Sequence, residues 1–362
     1  MRVLMLSRTT PYLPTHERAR LAPASLLEQL AARHAFALIA PAGRGETPAQ
    51  RAWAATRVTR LAQPPTGPWR QALTGAPGEG LVAMRATALR IIREWAPDVV
   101  HLEGAVLAPL TAMLSVPTVL VGRATAMPPR WRRAATACVV PSEDDRQVLA
   151  DGVPFDRIDV IPPGLDETRY EFRRTGESAR MIFAGNLAWP AHLDAARRLA
   201  RRVLPRVRRA IPRAELLLVG GGALAERRAL ADLPGVRVAG AVTDLRPSLW
   251  SATVTVIPAE AGSGVDAAVL ESMALGTPVV AARRALAGLA HLLPGHHTLE
   301  AETDSDLVES ILLTLREPVV AATLAANART VVERQYSWAA TARCYESLWA
   351  RTADMAPAAV AA

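Results

Sequence analysis

Several residue types and patterns are missing or scarce in this sequence, and each absence excludes a class of protein. Lysine does not occur, so every one of the 42 basic side chains is an arginine. Two cysteines in 362 residues cannot form a disulfide framework, so Cys138 and Cys344 are expected to be free thiols in a reducing compartment. The longest uncharged run, residues 104–122, is broken by Pro109 and Pro117, which argues against a membrane-spanning helix.

What remains is the composition of a folded protein with room for two domains. Half of the residues are hydrophobic and 21% are charged, which is typical of a globular chain. The net charge of +8 favours anionic partners such as nucleotide sugars or lipid headgroups. Because the arginines are spread over many predicted helices, nucleic acid is not expected as a partner. Met1 leads directly into an apolar strand without the pattern of a signal peptide, so we expect a cytoplasmic protein.

Short apolar segments alternate with helical patterns along the whole chain. The predicted strands of the first half are Val3–Leu6, Ala35–Ala40, Arg57–Leu61, Asp98–Leu102, Pro117–Val121, Ala137–Val140 and Ile158–Ile161. After a polar segment at Glu167–Glu177, further strands are predicted at Met181–Phe183, Glu215–Val219, Val236–Gly240, Thr253–Ile257 and Val279–Val280. This alternation predicts doubly wound parallel sheets, which bind ligands at the carboxyl ends of their strands. We therefore predict domains at 1–166 and 167–336, followed by a last helix and a disordered tail at 337–362.

The stretch from Ile257 to Ala281 reads as a strand, a glycine loop, a helix, a tight turn and a strand. Two glycines flank Ser263, and apolar residues then recur at helical spacing until Gly276 ends the helix. A glycine loop at a helix N-terminus offers free N–H groups to an anion such as a phosphate. An ordinary strand–helix–strand unit without a ligand explains the same pattern, so the local geometry leaves both alternatives open.

The segment from Val269 to Ala281 resembles the donor-site signature of retaining glycosyltransferases of the two-Rossmann-domain (GT-B) architecture, family four. The resemblance is specific because it fixes a glutamate, a Met-Ala pair, a glycine and a proline at set offsets. It implies that Glu271 binds the ribose of a nucleotide-sugar donor and that the loop N–H groups bind its diphosphate. The donor-binding residues implied over the whole chain are Gly185, Asn186, Gly220, Ser263, Gly264, Val265 and Glu271.

The resemblance covers the whole chain, strongly from Met181 to Ala281 and weakly before Ala137. Pro163–Asp166 matches the family's P-N-G-V-D element, and Asp244–Pro247 matches its D-L-R-P element. The implied fold is α/β, with two Rossmann-like doubly wound domains that face each other across a cleft. In the family, the first domain accommodates the acceptor, the second holds the donor, and the C-terminal helix crosses back to the first domain.

Three residues of the first half are candidates for a catalytic role. His101 and Glu103 end a predicted strand, and in many family members a histidine at one of these offsets contacts the donor sugar. A buried core histidine is the alternative. Arg123 follows the next predicted strand, and such arginines could balance the charge of the leaving diphosphate. His291, His296 and His297 lie together in sequence, but no carboxylate pairs with them and the family needs no metal, so neither a metal nor a cofactor is expected.

The expected function is the transfer of a sugar from a nucleotide-sugar donor to an envelope polysaccharide, exopolysaccharide or small-molecule acceptor, with retention. The expected partners besides the donor are glycan or lipid-linked acceptors. Peripheral contact with the inner face of the cell membrane is expected as well. Several positions depart from the family pattern. Ser263 replaces a glutamate, Asn186 takes the place of a usual arginine, and Asp266 would repel a diphosphate by roughly 3 kcal/mol at about 6 Å. The alternative is therefore a catalytically weakened relative that binds a nucleotide, or a partner glycosyltransferase, without turnover.

Overall fold

Each half of the chain folds around a parallel β-sheet. The computed structural model describes residues 1–15, 18–43, 45–68, 78–173, 178–258 and 267–355. It divides into two units, the first formed by Met1–Gly164 with Trp338–Ala362 and the second by Leu165–Ser337. The predicted boundaries lie within two residues of these limits.

The first sheet has seven strands in the order β3-β2-β1-β4-β5-β6-β7, all parallel. Its strands are β1 (Arg2–Ser7), β2 (Ala35–Ile39), β3 (Arg60–Ala62), β4 (Val99–Glu103), β5 (Thr118–Val121), β6 (Ala137–Val140) and β7 (Ile158–Val160). The central strands are buried along almost their whole length because helices cover both faces of the sheet. The third predicted strand was placed three residues too early, since a short helix and its turn occupy the chain up to Thr59.

The second sheet has six parallel strands in the order β10-β9-β8-β11-β12-β13. They are β8 (Arg180–Ala184), β9 (Glu215–Val219), β10 (Val236–Gly240), β11 (Val254–Ile257), β12 (Val279–Ala281) and β13 (Leu299–Glu300). Counted from β8, this is the order 3-2-1-4-5-6 of a Rossmann fold. The prediction of two doubly wound domains is confirmed.

The helices connect successive strands and cover the sheets. Those of the first unit are α1 (Arg18–Leu30), α2 (Pro48–Ala55), α3 (Glu79–Trp95), α4 (Pro129–Arg132), α5 (Glu143–Ala150) and, from the end of the chain, α14 (Trp338–Ala353). Those of the second unit are α6 (Pro190–Arg198), α7 (Leu204–Ala210), α8 (Leu224–Ala231), α9 (Arg246–Trp250), α10 (Ala267–Leu275), α11 (Arg283–Leu286), α12 (Asp304–Arg316) and α13 (Pro318–Val331). The helices α6 and α7 are joined by a π-helical turn at Leu199–Val203 and form one continuous helical segment.

The last helix returns to the first unit, as the resemblance implied. Its side chains Tyr345, Leu348 and Trp349 are buried in the same apolar cluster as Leu27 and Phe36. The approach is close at the start of the helix, where a Cβ at Gly164 would lie 2.7 Å from the indole ring of Trp338. Burying four large side chains of one helix is worth roughly 1.5–3 kcal/mol for each, so α14 is an integral part of the first unit.

Candidate functional site

Most of the predicted site residues that the structure describes lie in the last residues of a strand or shortly after it, near the points where the strand order of each sheet reverses. Ligands of doubly wound sheets bind at this switch point, outside the carboxyl ends of the strands. In the first sheet it lies between β1 and β4, where Ser7 is paired with Glu103. In the second sheet it lies between β8 and β11, and α10 is the first described element after β11. Both groups of candidates are therefore placed at ligand-binding edges.

The structure brings Gly185 and Gly220 into direct contact at the edge of the second sheet. A Cβ on Gly220, whose φ is +156°, would lie 1.7 Å from the carbonyl oxygen of Gly185. The amide of Gly185 donates to Val219, and the amide of Gly220 donates to Gly240. Only glycine fits this turn, and the bare backbone of neighbouring strands is left close to the edge where a ligand would lie.

Asn186 shapes the turn that leads into α6. Its side-chain oxygen accepts a hydrogen bond from the amide of Ala188 at 3.1 Å, and its carbonyl accepts one from Trp189. The ring of His192 packs between Phe183 and Trp189, with its Nδ1 facing Gly185. This nitrogen is buried and has no hydrogen-bond partner within the described part of the chain. The edge therefore carries a polar atom without a partner as well as bare backbone.

Glu271 is the one residue of α10 beyond its first position that is not buried. The remaining residues from Ala268 to Leu275 are packed into the core of the second unit. The phenol of Tyr170 lies beside the Glu271 carboxylate, close enough for its hydroxyl to interact with it. Burial, reinforced by the negative charge of Glu271, raises the pKa of Tyr170 well above its usual value, so the phenol keeps its proton and donates.

Arg246 adds a positive charge beside this pair. Its guanidinium makes a forked contact with Asp244 at 2.8–3.1 Å and donates to the carbonyl of Arg169 at 2.8 Å. The hydrogen bonds from Arg246 are the main reason why the pKa of Asp244 lies below its usual value. The hydrogen bonds to Asp244 are the main reason why the pKa of Arg246 is raised, and the negative charge of Glu271 adds to this. Glu271 thus lies in a polar cluster on an otherwise apolar helix.

The loop residues Ser263, Gly264 and Val265, and with them Asp266, lie outside the described residues. The predicted role of their amides in diphosphate binding stays a prediction. Of the predicted donor-binding residues, the structure describes Gly185 and Asn186 after β8, Gly220 after β9, and Glu271 on α10, and their donor-binding role stays a prediction.

In the first unit, His101 is buried and joins Glu103 to the last helix. The indole Nε1 of Trp349 donates to His101 Nδ1 at 3.3 Å, so the ring proton lies on Nε2 and is donated to Glu103 at 3.0 Å. Tyr345 and Trp349 both pack edge-on against the imidazole. His101 has no exposed surface, whereas the Glu103 side chain is 16% exposed. The catalytic role predicted for His101 stays a prediction. Because His101 is fully buried, of these two side chains only Glu103 could contact a substrate.

Arg123 lies at the same edge, after β5. Its side chain is half exposed and its Nε is 3.9 Å from a carboxylate oxygen of Asp145. Asp145 is buried and also accepts from the amide of Ala124 and the hydroxyl of Ser142, which fixes this loop. Arg283, another arginine that follows a strand, pairs with Glu300 at 2.8 Å.

A pocket of about 510 Å³ opens beyond the ends of β2 and β3 in the first unit. Glu46 lies in its wall and accepts from the side chain of Gln63 at 2.8 Å and from the amide of Gly43 at 3.1 Å. Burial alone would raise the pKa of Glu46. The hydrogen bonds from Thr10, Gln63 and Gly43 outweigh this effect, so the pKa lies below its usual value and the carboxylate is ionised. The volume is within the range of small-ligand sites.

Comparison with known protein families shows which family this chain belongs to. Residues 178–317 match the family model described as glycosyl transferases group 1, and residues 24–169 match glycosyltransferase family 4. The two models together cover most of the chain. The protein is a member of the glycosyltransferases. The resemblance seen in the sequence is confirmed to that extent, and a search of curated proteins finds no match.

Solved structures share the fold over almost the whole chain. HepE from Anabaena, in complex with UDP and glucose, is 14% identical with a TM-score of 0.67, covering 97% of this chain and 99% of its own. Sucrose-phosphate synthase from Thermosynechococcus elongatus is 17% identical with a TM-score of 0.66, covering 97% and 98%. The lipopolysaccharide outer core galactosyltransferase WaaB is 12% identical with a TM-score of 0.64, covering 97% and 100%. Identities this low establish the GT-B fold alone.

Several residues of this glycosyltransferase were not recognised as site residues from the sequence. Tyr170 lay in the segment predicted as a polar linker, where an aromatic residue among charged ones was the only available signal. Arg246 belongs to the matched Asp244–Pro247 element without an assigned role, and no motif in the sequence connects Trp349 with His101. Within the described ranges, no three metal-ligating side chains cluster, and no helix has the length and apolarity needed to span a bilayer.

Proposed function

We propose that this glycosyltransferase transfers a sugar from a nucleotide-sugar donor to an envelope polysaccharide, exopolysaccharide or small-molecule acceptor with retention of anomeric configuration. The observation that carries the donor assignment is the position of Glu271. It is a single partly exposed carboxylate on a buried helix, at the switch point of a Rossmann sheet. An ionised carboxylate can accept hydrogen bonds from both hydroxyls of a ribose, and such charged bonds are the strong ones.

The donor diphosphate would lie against the glycine turn. The tight contact between Gly185 and Gly220 leaves no side chain in the way, and His192 Nδ1 lies beside it without a partner in the described residues. Arg227 of α8 donates to the carbonyl of Gly222 at 3.2 Å, which places a guanidinium at the same turn. This arginine would compensate in part for the basic residues that the family usually carries near Asn186, because a positioned cation stabilises the charge of a leaving diphosphate.

The structural relatives support uridine diphosphate as the first nucleotide to test. HepE was solved with UDP and with UDP-glucose, and it has the same fold over the whole chain. WaaB, a lipopolysaccharide outer core galactosyltransferase, supports a glycan as the acceptor class.

The acceptor would bind to the first unit. The pocket beside Glu46 and Gln63 has the size of a sugar site, and Glu103 and Arg123 follow strands at the same edge of that sheet. Carboxylates such as Glu46 and Glu103 accept hydrogen bonds from sugar hydroxyls. The net charge of +8 supports peripheral contact of the protein with the anionic cytoplasmic face of the membrane, where a lipid-linked acceptor would be located.

The proposal is tested by donor binding followed by turnover. Thermal shift against a panel of nucleoside diphosphates should show a large shift with one base, because a ligand at 100 times its Kd stabilises the folded state by about 2.7 kcal/mol. Incubation of the corresponding nucleotide sugar with glycan acceptors should then give a product whose anomeric proton signal in NMR keeps the donor's configuration. Binding without turnover over a broad acceptor panel would support the alternative of a catalytically weakened relative. No shift with any base would contradict the donor assignment.

A further inference from the structure

The first residues of the second unit are tied to the helix that carries Glu271. Arg329 of α13 donates through Nη1 to the carbonyl of Tyr170 at 2.6 Å and to the carbonyl of Ala274, near the end of α10, at 2.7 Å. The amide of Arg173 donates to the carbonyl of Leu275 at 3.0 Å. One guanidinium and one backbone bond therefore hold the segment from Glu167 to Arg173 (the entry segment) against the C-terminal end of α10.

The close packing of the entry segment depends on Gly276. With φ at +90°, this residue ends α10, and a Cβ there would lie 2.5 Å from the carbonyl of Arg173 and 2.9 Å from the ring of Phe172. The entry segment is thus fixed at two points, by Arg329 and by the turn at Gly276. Arg329 binds the backbone carbonyl of Tyr170 itself, and the phenol of this residue reaches the Glu271 carboxylate. A hydroxyl held in this way limits the rotamers that the Glu271 side chain can adopt.

We propose that Tyr170 is a positioning residue that orients the Glu271 carboxylate for the ribose hydroxyls, a role that rests on the proposed function. Tyr170 donates to one carboxylate oxygen and leaves the remaining lone pairs of Glu271 for the two sugar hydroxyls. Without the phenol, the glutamate on a partly exposed helix face would sample several rotamers and would lose entropy on binding. The entry segment lies close to Leu165, the first residue of the second unit, so the same contact links the proposed ribose site to the point where the chain enters that unit.

The charges around the pair are consistent with this role. Arg246 lies close enough for its charge to act on both Tyr170 and Glu271, while its own fork is directed at Asp244. The positive charge of Arg246 therefore lies near the Glu271 carboxylate, and Tyr170 supplies the direction of that carboxylate.

The experiment compares Tyr170→Phe with Tyr336→Phe. Tyr336 is also a buried tyrosine of the second unit, and its hydroxyl accepts from the amide of His291 far along the chain from Glu271. Calorimetry measures binding of uridine diphosphate, or of the diphosphate that the panel selects in its place, and of its 2′,3′-dideoxy form. Tyr170→Phe should weaken binding of the ribose form about tenfold, since residues of one hydrogen-bond network couple by that order. It should leave binding of the dideoxy form unchanged, and Tyr336→Phe should affect neither.

A double-mutant cycle with Glu271→Ala separates positioning from folding. In the Glu271→Ala background, where no side-chain oxygen is left for the phenol to orient, Tyr170→Phe should cause no further loss of affinity for the ribose form. Equal affinity of wild type and Tyr170→Phe for the ribose form would overturn the role of Tyr170 while leaving the donor site in place. Equal losses for the ribose and dideoxy forms would overturn it as well, because they indicate a general loss of structure. If the wild type binds no nucleoside diphosphate, the proposed function fails and the role of Tyr170 fails with it.

Discussion

The hydrogen bond from Trp349 to His101 joins the last helix to the central strand of the first sheet, and it gives a quantitative prediction. Trp349→Phe removes the indole N–H and part of the ring from a fully buried site. His101 Nδ1 then loses the hydrogen bond from the indole although the histidine side chain is fully buried, which costs about 1–3 kcal/mol. The smaller ring leaves unfilled space that adds to this cost, so the first unit should lose about 2–4 kcal/mol of stability.

The assay has to report on the first unit separately, because two units need not unfold together. Hydrogen exchange of backbone amides, followed by mass spectrometry, resolves peptides that contain β4 from peptides that contain β8. Trp349→Phe should speed exchange in β4 and leave β8 at its wild-type rate. Trp189→Phe is the matched control, because Trp189 is 60% exposed and surface substitutions usually change stability by no more than about 0.5 kcal/mol. Unchanged exchange in β4 would refute the account of α14 as an anchor of the first unit.

Three further predictions concern other parts of the molecule. Gly220→Ala should strongly destabilise the second unit, whereas Gly221→Ala, whose Cβ would meet only the Ala241 methyl at 3.6 Å, should be nearly neutral in urea denaturation; similar midpoints would contradict the close contact at the glycine turn. Burial raises the pKa of Asp304, but Arg198 and Arg202 lower it below 3.8 overall, so its contribution to stability should be complete above pH 4 and lost as the pH falls through the lower folded value. The stability difference between wild type and Asp304→Asn should accordingly be larger at pH 5 than at pH 2.5, and a constant difference would count against the pair. Deleting residues 338–362 should leave the first unit unable to fold cooperatively, which far-UV and near-UV circular dichroism would detect, and a deletion variant with native spectra and melting would show that α14 is dispensable.

The sheets could be predicted from the sequence because parallel strands covered on both faces appear as short, almost continuous apolar runs. Leu216, Leu218 and Val256 are examples in which local composition alone indicated a buried strand. The glycine turn could also be located, since Gly185 and Gly220 each follow such a run. These features depend on residues that are neighbours in sequence, and a single sequence displays them directly.

The contacts that define the site could not be predicted in the same way, because they join residues that are distant in sequence. Trp349 and His101 are 248 residues apart, and the burial of His101 follows from the return of the last helix. Tyr170 lies in a charged segment whose composition resembles a linker, and only the folded unit shows that Arg329 fixes it against α10. The sequence identified Glu271 through a family motif and gave no indication of the side chain that holds it.

The central claim is that Glu271 binds the ribose of the donor, and calorimetry of one substitution tests it most directly. Glu271→Ala should weaken binding of the nucleoside diphosphate selected by the panel by about 1.5–3 kcal/mol, which is about 10- to 150-fold in Kd, because a charged hydrogen-bond acceptor is lost. Glu309→Ala, which removes the same charge from an exposed position of α12, should leave the Kd unchanged. An equal Kd for Glu271→Ala and wild type, with both proteins folded, would contradict the assignment of this edge of the second sheet as the donor site.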